Sequence, residues 1–220
     1  MFFDLSLAVW DNIHLMNETS NEFYVPGLMD LSKYQLVRTE PDSQWDSFVE
    51  SSPQGTIFST SAFLNGTGRR LGLWYCLKGK APVGGVALIE SEDGRSAIVA
   101  PHVIHGGPMF APAPPEQNRS QVISEEFRII SACLRDLADS YDEVAFACGP
   151  AIEDLRPVQW HNYGTDGRKF DLTLRYTSYL DLVGSDLPFA QHPVYLACNK
   201  SRRQEIRYGV ASGILVEDGG

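Results

Sequence analysis

Asp154-Leu155-Arg156-Pro157-Val158-Gln159-Trp160-His161-Asn162-Tyr163-Gly164 combines a charged start, a proline, an aromatic pair and a closing glycine. Just before it, residues 144–148 form an apolar run stopped by Gly149-Pro150, the pattern of a short buried strand. Ahead of that run, Ile123, Phe127, Ile130, Leu134 and Leu137 recur at three- and four-residue intervals, which predicts a long helix over residues 117–140. Asn118 and Gln121 stand at the spacing of a capping box at its start. After the stretch, Phe170, Leu172 and Leu174 alternate with Asp171, Thr173 and Arg175, as in a half-buried strand. Within it, Asp154 and Arg156 read as a short helix or turn, and Trp160 and Tyr163 as packed aromatics.

Upstream, residues 71–77, 83–89 and 97–100, the last extended towards 110, read as an antiparallel meander turned by Lys78-Gly79-Lys80 and Glu92-Asp93-Gly94. Gly84-Gly85 in the second strand suggests a bulge. Residues 34–38 form a first strand candidate. A helix then starts at Thr39-Glu40-Pro41-Asp42 with Thr39 as cap and buries Trp45, Phe48 and Val49. A second short helix falls at 59–65, and residues 1–32, which show no period, read as an arm or short extra element. Downstream come a loop at 184–193, a helix over 195–212 closed by Gly213, and a last strand at 214–216. The fold class is therefore α/β or α+β: a mixed, mostly antiparallel central sheet flanked by helices.

Composition supports a packed core, with 43% hydrophobic and 21% charged residues. The net charge of -10 argues against coating DNA, because phosphate binding needs clustered Lys and Arg. The one strongly basic segment holds Lys200, Arg202, Arg203 and Arg207. Cys76, Cys133, Cys148 and Cys198 lack zinc-motif spacing and read as free thiols in a reducing, cytoplasmic setting. No membrane span is legible, and Asp4 and Asp11 interrupt the only apolar run near the start.

This order of elements resembles the GNAT acyltransferase fold. More narrowly, the chain is similar to the Fem-type branch, bacterial N-acyltransferases built from two GNAT-like halves. Two patches carry the likeness: residues 154–164, with the strand after them and Tyr179-Leu180-Asp181-Leu182, and Arg203-Gln204-Glu205-Ile206-Arg207-Tyr208-Gly209 with Gly213 beyond. The chain departs from the family at Tyr208-Gly209, where Lys-Ala is commoner. The resemblance implies an arm over 1–33, a GNAT-like domain over 34–182, and a basic helix and strand over 183–220 leading towards a second half. It implies transfer of an acyl or aminoacyl group, from acyl-CoA or aminoacyl-tRNA, to an amine of a cell-envelope or polysaccharide precursor. The partners would be the missing half and the acceptor, with self-association left open. This chain alone would be inactive. A non-catalytic GNAT-like interaction module is the alternative.

A GNAT domain grips pyrophosphate with successive backbone N–H groups ahead of its long helix. Here His105–Pro115 holds four prolines, which lack that N–H, and no Lys or Arg, so no CoA is expected on this half. An acceptor amine must lose a proton, which makes His161 and Asp154 the candidate catalytic residues. Arg156, Trp160 and Tyr163 are candidate substrate contacts, and Arg203 and Arg207 could meet an anionic acceptor. The simpler reading is that Asp154 pairs with Arg156, Trp160 fills the core, and the basic helix shows a solvated face. His102 and His105 read as turn residues rather than metal ligands, and no metal site is expected. No G-x-S-x-G elbow, P-loop or dinucleotide fingerprint is present.

Overall fold

A computed structural model describes residues 7–15, 30–178 and 187–214. The chain divides into two compact units, Ala8–Thr177, and Met1–Leu7 with Ser178–Gly220.

The larger unit is built on one mixed sheet. Its strands are β1 (Leu7–Leu15), β2 (Tyr34–Thr39), β3 (Leu71–Lys78), β4 (Ala81–Glu90), β5 (Ser96–Ile98), β6 (Gly107–Phe110), β7 (Glu143–Ala147) and β8 (Phe170–Ser178). The helices are α1 (Ser43–Ser51), α2 (Ser61–Gly66), α3 (Arg119–Ser140) and α4 (Arg156–Gln159). Strand order is β2-β3-β4-β5-β7-β1-β8, with β6 also on β4. β2 pairs antiparallel with β3, β3 with β4, β4 with both β5 and β6, and β1 with β7, whereas β5 and β7 run parallel. The sheet is mixed and mostly antiparallel, as the element order predicts.

Alternation along β4 sends its residues to two dry layers. Val86 and Leu88 join Cys76, Phe110 and the buried side of α3 (Ile129, Ile130, Cys133, Leu134, Leu137). Ala87 and Ile89 face the other way, onto Trp45, Phe48 and Val49 of α1, with Leu64, Leu73 and Met109. The paired glycines make both layers close. A Cβ on Gly84 would stand 2.6 Å from Ile129, and one on Gly85 2.7 Å from Phe48. The bulge expected at the glycine pair falls one residue earlier, at Val83, since Cys76 pairs with Gly84 but Leu77 with Pro82.

Asn118 caps α3 through both halves of its box: its side chain accepts from Gln121 N–H at 3.0 Å, and Gln121 accepts from Asn118 N–H at 3.0 Å. α1 differs from expectation. Thr39 ends β2, and Asp42 is the cap, its carboxylate accepting from Gln44 and Trp45 N–H at 2.9 and 2.8 Å. A carboxylate both accepts and complements the positive helix end, so it displaces the threonine. Leu7–Leu15, within the stretch read as an arm, is a sheet strand beside β7. On β8 the half-buried alternation fades, with Phe170 buried, Leu172 half-buried and Leu174 exposed.

In the smaller unit the helix expected over 195–212 is two: α5 (Pro193–Ala197) and α6 (Lys200–Ala211). Asn199 divides them because its side chain caps the second, accepting from Arg202 N–H at 2.9 Å. Gly213 follows α6 at φ 76°, the left-handed conformation expected of it. The predicted loop already starts helical structure at Phe189–Gln191 and Pro193. Residues 179–186, with Tyr179-Leu180-Asp181-Leu182, and residues 215–216 of the predicted last strand lie outside the described residues.

Candidate functional site

One parallel bridge joins the residue before β6 to the residue after β7, and the two chains part beyond it. Gly106 bridges Cys148, and its N–H donates to Ala147 C=O at 2.8 Å. Further along, Phe110 N–H donates to Gln54 Oε1 at 3.1 Å, while Gln54 Nε2 donates to Ala151 C=O at 3.5 Å. One carboxamide from the turn after α1 thus spans the place where the two chains part. A cleft of about 500 Å³ opens there, lined by Pro53, Gln54, Val122, Ile123 and Ala151 with the charged groups Arg119, Glu126, Glu153, Asp154 and Arg156. The first two turns of α3 form one wall, and the segment between β7 and α4 forms the other.

Most of the charge in the cleft is mutually satisfied. Asp154 takes Arg156 in a two-point fork, at 2.8 Å from Nε and 2.6 Å from Nη2. The guanidinium also lies over the rings of Phe127 and Trp160, at 5.6 and 5.7 Å from their centroids. This pairing holds the Asp154 carboxyl below the usual carboxylate range. Arg119 pairs with Glu153. Glu126 is different: half-buried, with no ion pair among the described residues, it has its pKa raised chiefly by burial and also by Glu153 and Asp154, against the pull of Arg119.

The two candidate catalytic residues are not brought together. Asp154 lines the cleft near the first turns of α3. His161 packs edge-on to Phe170 at 5.2 Å, in the field of Arg168 and Asp139 near the helix's other end. Arg168 anchors that loop by donating to Asp142 C=O at 2.7 Å and to Ala138 C=O, both near the C-terminus of α3. Burial, with Arg168 adding to it, lowers the His161 pKa and keeps the ring neutral. The two aromatics read as packed are exposed instead, Trp160 at 55% and Tyr163 at 78%. α4 has one turn only, so Trp160 stays outside, with one face against Phe127 and Arg156. Arg203 and Arg207 lie on α6, which has no buried residue, and Arg202 of the same helix pairs with Glu205 at 2.7 Å.

Gln54, Arg119, Glu126 and Glu153 were not legible as site residues. Arg119, Ile123 and Glu126 do follow helical spacing, a signal that could have placed both charges beside the apolar stripe. Gln54, in a turn far along the chain, gave none.

His105 is turned inward against Phe58 at 5.4 Å, and burial lowers its pKa to about 4. Among the described residues no group of His, Cys, Asp and Glu could hold a metal ion. Cys76, Cys133 and Cys148 are buried free thiols, and Cys198 is half-buried. No described helix is long and apolar enough to cross a membrane. No protein-family model matches this chain, and no curated protein matches it in sequence.

Proposed function

We propose that this chain is the acceptor-binding, GNAT-like half of a Fem-type N-acyltransferase. The reaction is transfer of an acyl or aminoacyl group to an amine of a cell-envelope or polysaccharide precursor in the cytoplasm. One observation carries the reading: the chains joined by the single Gly106–Cys148 bridge part beside the start of α3, the longest described helix, and a charged cleft opens there. Acyl transfer to an amine needs such a place, where the nucleophile is held and its proton can leave.

The connector ahead of α3 argues that the donor, acyl-CoA or aminoacyl-tRNA, is held elsewhere, on a second half. Its prolines supply no N–H. Asn118 and Gln121 use each other's backbone donors at the helix start. In this reading Asp154 acts on the acceptor only through Arg156, as a positioning residue, with Trp160 and Tyr163 as exposed aromatic contacts. Arg203 and Arg207, on α6 of the smaller unit, are that unit's own candidates for an anionic partner. His161, the other candidate base, lies near the far end of α3 from the cleft, against Phe170, and is out of reach of an amine held there. The exposed Leu187, Leu196, Tyr208, Val210 and Ile214 support the presence of a further unit to pack on.

Calorimetric titration of the chain with acetyl-CoA tests the assignment. No heat of binding is expected, and stoichiometric binding would overturn it. In the complete enzyme His161→Ala is expected to leave turnover unchanged, and a large loss would place the acceptor amine at His161 rather than in the cleft. The other reading, a non-catalytic interaction module, rests on the same exposed apolar side chains. It predicts that the chain performs its role without a second GNAT-like unit.

A further inference from the structure

A second cavity lies on the other side of the first turns of α3. It measures about 220 Å³ and is walled by Val83, Phe110 and Ile129 of the sheet and helix and by the connector from Ala111 to Pro114. It shares Val122 and Glu126 with the charged cleft. The two spaces therefore meet at one carboxylate.

The charges around both spaces pair off with one exception. Asp154 holds Arg156, and Glu153 holds Arg119. Glu125 holds Lys78 at 2.6 Å, with Arg128 at 3.6 Å as a further neighbour. Lys78 in turn lies over the Tyr34 ring, 5.4 Å from its centroid. Glu126 is the remaining charged group of the combined lining, and it has no ion pair among the described residues. A half-buried carboxylate without a counter-ion favours a cation beside it. The apolar wall of the slot favours carbon next to that cation rather than a second charge.

We propose that cleft and slot form one binding site for a primary ammonium group carried on an apolar stem, with Glu126 as its anchor and Val83, Phe110 and Ile129 along its stem. The ammonium donates to the Glu126 carboxylate at the junction, and the stem displaces water from the slot. Anions are disfavoured because each lining cation already has its carboxylate. This names the acceptor chemistry for the reading above and rests on that reading only for its place in a reaction.

The test uses the whole chain and three probes of one length, n-hexylammonium, n-hexanol and hexanoate, followed by amide NMR shifts. Hexylammonium is expected to move the resonances of Phe110, Val122 and Glu126, with hexanol weaker and hexanoate without effect. Glu126→Gln should weaken hexylammonium binding about tenfold or more, the loss of one charge-assisted hydrogen bond. Glu116→Gln, an exposed carboxylate outside both linings, should leave it unchanged. Equal binding of hexylammonium and hexanol to the unaltered chain overturns the proposal, even if the Glu126 variant fails to fold. Preference for hexanoate, or full retention of binding in folded Glu126→Gln, does the same. Acetyl-CoA separates the two claims: its binding alongside intact ammonium selectivity sinks the acyltransferase-half reading and leaves this site standing. Lost selectivity with no CoA binding sinks this site alone.

Discussion

The two faces of one sheet solve opposite problems. On the α1 face, Trp45 is fully buried, donates its indole N–H to Ser59 C=O at 2.7 Å, and packs at a tilt against Phe48 and Tyr75, with ring centroids 6.0 and 5.5 Å away. The buried members of that layer are all apolar. On the α3 face, apolar packing from Ile129 to Leu137 gives way towards the helix's start, where the lining becomes mixed charge and open space. A single helix is thus core at one end and binding wall at the other. The parting of the chains after Gly106 and Cys148 makes the difference, because separated segments leave backbone groups and volume that only a side chain or a ligand can use.

Four measurements probe this contrast. The largest effect is expected on the dry face. Trp45→Ala should cost about 3–5 kcal/mol in urea unfolding, since the void cannot collapse between helix and sheet. A loss below about 1 kcal/mol would show that the layer is loosely packed.

The second is pH dependence. His105 is held neutral in the folded chain with its pKa lowered to about 4, whereas the unfolded chain takes up its proton near 6.5. The unfolded state binds more protons in that window, so stability is full above about 6.5 and falls as pH drops towards about 4. Below the folded pKa this contribution no longer changes. Partial exposure limits it to the order of 1 kcal/mol. His161 shifts in the same direction. Thermal melts of His105→Asn between those limits should be flatter than those of the parent, and identical slopes would remove His105 from the account.

On the cleft side, Gln54→Ala strips the partner from Phe110 N–H at the parting of the strands. It should destabilise by about 1 kcal/mol and speed hydrogen exchange at Phe110. Unchanged exchange there would mean the carboxamide does not hold the gap. The smallest effect is expected from Arg156→Ala, a barely detectable shift of the urea midpoint, because its fork to Asp154 is screened by solvent and its ring contacts are modest. A loss several times larger would mean that the pair is structural cement rather than a cleft wall.

The fold was legible to the extent that it rests on periodicity. The apolar stripe and capping box of α3, the run of β7 and the meander of β3 and β4 all appear where their residues place them. Misreadings came where two local options competed. Thr39 and Asp42 could both cap α1, and Cys198-Asn199 could continue a helix or divide it. Trp160 and Tyr163 misled because aromatic residues usually fill cores, yet a one-turn helix has too little surface to bury them.

By itself the sequence determined which segments are helix or strand and that the sheet is mixed, because those follow from 2.0- and 3.6-residue periods and from side chains bonding to nearby backbone. Only the tertiary structure decided which charges meet. Gln54 reaches Phe110 and Ala151, Glu153 reaches Arg119, and Glu126 stands between two cavities with no ion pair among the described residues. Such pairings depend on where strands part and on how close distant segments come, distances that no local pattern encodes.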